Sequence, residues 1–218
     1  MSPAALGKKD VLITGGKIAA IENTIDVSIR GFDVDVIDGR GHFLLPGFVD
    51  SLVHITGGGG EGGFTTRTPE MNLTDATKAG ITTLVGALGT DATTRSLPDL
   101  LAKAKALNEQ GLSCYCYTGS YQIPVRTLTS SVMDDIILIN EFIGVGEVAI
   151  SDHRSSQPTL NELAKIAAEA RVGGMLSGKS GIVSIHTGDG KGLLDILHQV
   201  ANETDIPITQ FYPTHINR

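Results

Sequence analysis

Residues 49–63 read VDSLVHITGGGGEGG. An apolar run closes on His54, and the chain then breaks into glycines around a lone Glu61. Apolar residues leading to a polar residue at the point where a strand gives way to a loop form the repeating unit of parallel α/β sheets, whose ligand sites lie at the strand C-terminal ends. The glycine loop lacks the Gly-Lys-Ser/Thr that ends a phosphate-binding loop. Its composition suits a close approach of backbone, and of the Glu61 carboxylate, to a small zwitterionic ligand. Leu52 stands two residues before His54. In a strand that spacing puts both on one face, where a second histidine would have completed a ligand pair.

The unit recurs along the chain. Strands are expected at 48–55, 81–88, 112–119, 146–151, 181–188 and 207–215, with helical stretches at 68–80, 97–111, 130–142, 159–174 and 192–204. Strand and helix alternating at roughly 30 residues imply βαβ units and a parallel sheet. Both an open doubly wound sheet and a (β/α)8 barrel satisfy that order. His54, Thr90, Tyr121, the run Asp152-His153-Arg154, His186 and His215 all fall at or just past strand C-termini. Six strand ends converging on one site suit a barrel. Residues 1–45 differ: 10–22 read strand, Gly15-Gly16 turn, strand, and Val34 and Val36 alternate before a turn at Asp38-Gly39. Pro46-Gly47 punctuates the change. The expected division is a partial β-sandwich over 1–45 and a partial barrel over 46–218.

Composition narrows the function classes. The 218 residues carry a net charge of −7, against the basic face that nucleic acid or an anionic membrane surface requires. Aromatics are 5% and Trp is absent, which disfavours stacking platforms. No run approaches a membrane span, and the first residues, MSPAALGKKDVLI, lack the apolar core of a secretion signal. Cys114 and Cys116 alternate within one apolar run and read as reduced core thiols. A cytoplasmic protein is expected.

His42 and His198 read as packing or surface residues. His54, His186 and His215 end separate strands, and three such imidazoles point to a shared metal, with Zn²⁺ the natural choice. Glu147 opens the 146–151 strand; it reads either as a metal-holding carboxylate or as a solvent-facing loop residue. Arg154 and Arg218 end comparable segments and suit a bidentate grip on a carboxylate. Tyr121 could polarise a carbonyl, and Glu61 could receive an ammonium group.

The segments PGFVDSLVHITGGGGEGG, LVGALGTD, YTGSYQIPVRTLT, GEVAISDHRSS, RVGGMLSGKSGIVSIHTGDG and YPTHINR, taken in order, resemble the isoaspartyl (β-aspartyl) dipeptidases of the amidohydrolase superfamily. The resemblance implies a (β/α)8 TIM barrel with a small β-sandwich. It implies two zinc ions at the C-terminal rim and a metal-activated hydroxide that attacks the isopeptide carbonyl of a β-aspartyl dipeptide. Carried over to this chain, the metal ligands are His54, His186 and His215. Gly59, Glu61, Thr90, Arg154 and Arg218 bind substrate, and Tyr121 polarises the scissile carbonyl. A homo-oligomer is implied as well.

Three departures qualify these expectations. Leu52 occupies the place of the first strand-1 histidine and cannot bind metal. Glu147 stands in the region of the family's carboxylated lysine and presents two oxygens on a shorter arm. The sixth strand is the last before Arg218, so the expectation is a barrel truncated after strand 6, a fragment of a longer product with weak or no activity alone. Two alternatives stand beside the dipeptidase: a catalytically impaired relative that binds dipeptides, and a dihydroorotase- or hydantoinase-like cyclic amide hydrolase.

Overall fold

The computed structural model describes residues 4–28, 31 and 33–217. The chain divides into two compact units, 1–45 and 46–218. In the first, β1 (Asp10–Thr14) and β2 (Lys17–Glu22) pair antiparallel. Gly15 and Gly16 between them both take positive φ, 56° and 72°, as a tight hairpin turn demands. The alternation at Val34 and Val36 forms no strand. Val36 is 72% exposed, and an alternating segment without a neighbouring strand has nothing to pair with.

The second unit carries six strands: β3 (Phe48–Val53), β4 (Ile81–Gly86), β5 (Ser113–Thr118), β6 (Phe142–Ile150), β7 (Ile182–Thr187) and β8 (Phe211–Thr214). They pair in chain order, every neighbour parallel. The result is a six-stranded half-barrel, a partial TIM barrel. Ser51 Oγ and Tyr212 Oη lie 2.9 Å apart, so the first and last strands of the sheet meet through side chains. Among the described residues no helix is long and apolar enough to cross a membrane.

Five helices follow the strands: α1 (Leu73–Thr77), α2 (Leu97–Glu109), α3 (Val132–Leu138), α4 (Leu160–Ser177) and α5 (Asp195–Glu203). Three of their starts are fixed by side-chain caps. Ser96 and Ser131 accept from the amides of Asp99 and Asp134, and Thr159 with Glu162 forms a capping box at α4. In α2 the buried residues Leu97, Leu100, Ala104 and Leu107 recur at helical spacing and form one apolar stripe. α4 ends at Gly178, which takes the left-handed conformation at φ 69°.

Two helices are about half the expected length. α1 begins only after Asn72, because the residues before it are tied to the glycine loop: the Thr68 amide donates to Gly58 O and the Met71 amide to Ile55 O. α3 stops at Leu138. Ile139 is extended, and Phe142 is fully buried and already paired with Cys116 in the sheet. β6 accordingly starts four residues before Gly146.

Alternation along the strands sorts the core. Leu84, Cys114, Cys116 and Phe142 pack against the stripe of α2, and Val145, Val148, Val183, Ile185 and Phe211 pack against α4 and α5. Both cysteines are free, and burial raises the Cys114 thiol to about 11. On the opposite face a smaller cluster of Val85, Ala87 and Tyr117, with Leu52, Ile143 and Ile182 against it, lines the inside of the half-barrel. The polar rim sits at its C-terminal end.

Candidate metal centre and substrate rim

The site is built around a β-bulge. Val145 pairs with Val183 and Val148 with Ile185, so Gly146 and Glu147 together oppose Ser184. A bulge re-aims a side chain, here that of Glu147, which is only 1% exposed. Gly146 is required there: its φ is 141°, and a Cβ would lie 2.4 Å from the Ser184 carbonyl oxygen.

Glu147 Oε1 is 2.9 Å from His186 Nδ1 and 3.5 Å from His215 Nε2. Thr214 Oγ1 also donates toward Oε1, at 3.5 Å. His186 belongs to β7, and His215 follows β8 directly with a positive φ of 59°, a backbone state that functional sites often store. The two imidazole rings meet edge to face with centroids 4.6 Å apart. Potential ligand atoms of Glu147, His186 and His215 all lie within 4.8 Å of one another. A buried carboxylate and two imidazoles form a donor set suited to zinc and other first-row divalent metals.

Tyr121 Oη lies 2.7 Å from His186 Nδ1. Burial, reinforced by the charge of Glu147, pushes its phenol well above the ordinary range, so it remains a neutral hydrogen-bond donor. On the other side of the ring, His186 Nε2 is 3.1 Å from Asp152 Oδ2. Asp152 also takes Arg154 bidentately, Nε at 2.9 Å and Nη2 at 2.7 Å, and accepts the Arg154 amide at 2.8 Å. The Arg154 hydrogen bonds hold the Asp152 carboxyl far below the usual carboxylate range against the opposing effect of burial.

Arg154 reaches on to Glu61, with Nη1 3.3 Å from Oε1. Thr90 Oγ1 donates to the same oxygen at 3.0 Å. The Glu61 carboxyl is lowered, first by a bond from its own backbone amide and then by Thr90 and Arg154, with burial opposing. Gly59, Gly60, Glu61, Phe64, Arg67, Thr90 and Asp91 line a recess of about 150 Å³. Gly59 has a φ of 65°, and a Cβ there would approach Thr66 O to 2.7 Å.

The structure thus brings Glu147, His186, His215 and Tyr121 together, and joins Glu61, Thr90 and Arg154 beside them. His54 is the exception among the expected ligands. It falls outside the Glu147–His186–His215 group, and its Nδ1 donates to Ala87 O at 3.0 Å. Leu52 packs against the inner apolar cluster. Arg218 lies outside the described residues.

Two residues carry more of the geometry than the sequence alone revealed. Asp152 received no role, although its place two residues before Arg154 is the spacing at which an aspartate caps a following amide. Arg95, only 4% exposed, sends its guanidinium to the carbonyls of Thr56, Gly58, Gly59 and Thr68. It thereby gathers the glycine loop from behind.

No family model matches the chain. Among curated proteins, dihydroorotase from Staphylococcus aureus is 38% identical over 104 residues, 48% of this chain and 22% of that protein. Dihydroorotase from Elusimicrobium minutum is 45% identical over 56 residues, 26% of this chain and 12% of that protein. Among solved structures, the β-aspartyl dipeptidase of Fervidobacterium islandicum AW-1 in complex with a β-Asp-Leu dipeptide is 53% identical with a TM-score of 0.93, covering 96% of this chain and 54% of that one. A second structure of that enzyme gives 53% identity and a TM-score of 0.94 over 98% and 58%. The chain spans less than a quarter of the dihydroorotases and little more than half of the dipeptidase. By sequence and by fold it is closely similar to β-aspartyl dipeptidase over nearly all of its own length.

Proposed function

We propose that this chain carries the metal-binding and substrate-gripping half of a zinc-dependent β-aspartyl dipeptidase. The carrying observation is the buried Glu147–His186–His215 group beside the Glu61–Arg154 pair, in a chain 53% identical to an enzyme crystallised with β-Asp-Leu. Glu147, His186 and His215 would hold the ion. When bound, a divalent metal supplies an acidified water and a Lewis acid for the amide carbonyl.

The remaining chemistry belongs to side chains. Tyr121, a neutral O–H donor, would hydrogen-bond the carbonyl oxygen as negative charge develops on it. Glu61 would receive the α-ammonium of the β-aspartyl residue. Arg154 would exchange part of its contact with Glu61 for a substrate carboxylate, with Arg218 as its partner. Thr90 keeps Glu61 oriented, and Gly59 lets the substrate approach the loop backbone. His54, one shell away at the Ala87 carbonyl, is left with Nε2 as its free acceptor, a tautomer that can serve a second ion. A cytoplasmic homo-oligomer belongs to the same reading.

The dihydroorotase likeness favours one competitor, a cyclic amide hydrolase. Zinc-loaded protein assayed with β-Asp-Leu and with dihydroorotate separates the two. The expected result is binding of the dipeptide with weak release of aspartate and leucine at most from this chain alone, and no ring opening. Ring opening alone would reassign the substrate, and dipeptide binding without turnover would make the chain a silent binder.

A further inference from the structure

His186 stands between two carboxylates, and they are not equivalent. On the Nδ1 side lie Tyr121 Oη at 2.7 Å, Glu147 Oε1 at 2.9 Å and, beyond it, His215. On the Nε2 side lie Asp152 Oδ2 at 3.1 Å and Arg154 Nη2 at 3.2 Å. A guanidinium is a fixed positive charge with donors only. A cation at Nε2 would sit against it, whereas a cation at Nδ1 faces Glu147. The ring can therefore serve a metal through Nδ1, leaving the Nε2 proton for Asp152. The same Asp152 carboxylate holds Arg154 through two side-chain bonds and one amide bond, and it is buried.

We infer that Asp152 is a positioning residue for both halves of the site: it accepts the Nε2 proton of His186, aiming Nδ1 at the metal position, and with its other contacts fixes Arg154 over the substrate. A carboxylate behind a ligating histidine fixes its tautomer and raises its basicity, and losing such a partner typically weakens metal binding about 10–100-fold. An amide at this place would turn an N–H toward either the Arg154 or the His186 donor. This inference rests on the metal reading of Glu147, His186 and His215.

The test measures zinc affinity of the full chain and of D152N by competition with a chromophoric chelator. A parallel measurement takes ¹⁵N spectra of the histidine rings in the unsubstituted, zinc-loaded protein. The expected result is a 10–100-fold weaker affinity in D152N, with His186 metal-bound through Nδ1 and protonated at Nε2. Equal affinities, or a spectrum showing Nε2 bound to zinc, would overturn the role of Asp152 while leaving the metal site standing. An unsubstituted protein that takes up no zinc would overturn both readings. Should D152N not fold, the ring spectra of the unsubstituted protein decide alone.

Discussion

Glu147 Oε1 lies 2.9 Å from His186 Nδ1, with the glutamate 1% exposed. A charged carboxylate is not kept in such a place without compensation. Two imidazoles supply part of it, and a divalent ion would complete it. Glu147→Gln preserves the shape and removes the charge. We expect zinc affinity to fall at least about tenfold, read by chelator competition.

Metal binding should also register as stability. A ligand at a hundredfold excess over its dissociation constant adds about 2.7 kcal/mol, which in a protein of this size raises Tm by roughly 5–10 °C. Scanning calorimetry with zinc and then with a chelator should show that rise and its reversal, and neither in Glu147→Gln.

Arg95 makes a separate demand. Its guanidinium is buried on four loop carbonyls and lies 3.7 Å from Asp91. Arg95→Met leaves those carbonyls without their donor. Breaking a buried charged contact of this kind costs about 3–5 kcal/mol. Urea unfolding should show a loss of that order, and limited proteolysis should cut first within residues 57–63.

Asp91 gives the chain an acid sensitivity. Burial alone would raise its carboxyl, but bonds from Thr94, then Thr93 and Arg67, outweigh it and hold the group well below the usual range. A depressed folded value contributes stability that is present above the unfolded value, near pH 4, and is lost as pH falls toward the folded one. Stability should therefore drop below about pH 4, and Asp91→Asn should flatten that limb of a pH series followed by urea midpoint.

The sheet is legible because each strand carries its own periodic signal and α2, α3 and α4 each start at a capping residue. The boundaries that slipped did so for tertiary reasons. Phe142 looked like the end of a helix and became the start of β6, because burial in the sheet outweighs local propensity. Val34 and Val36 alternate without a partner strand to pair with. In the site, strand-end position singles out His186, His215 and Arg154, and the glycine loop singles out Glu61. Strand-end position could not reveal that a two-for-one bulge turns Glu147 inward, since a bulge is a property of the pairing with Ser184. Nor could it reveal that the His54 ring is tied through Nδ1 to the Ala87 carbonyl, because that contact is a property of the strand pairing.

The most direct measurement is zinc content of the purified chain by elemental analysis, beside Glu147→Gln prepared identically. Three protein ligands with an open position are the pattern of a catalytic zinc, and the account predicts at least about one zinc per chain, largely lost in the variant. Zinc no higher in the native chain than in Glu147→Gln would contradict it.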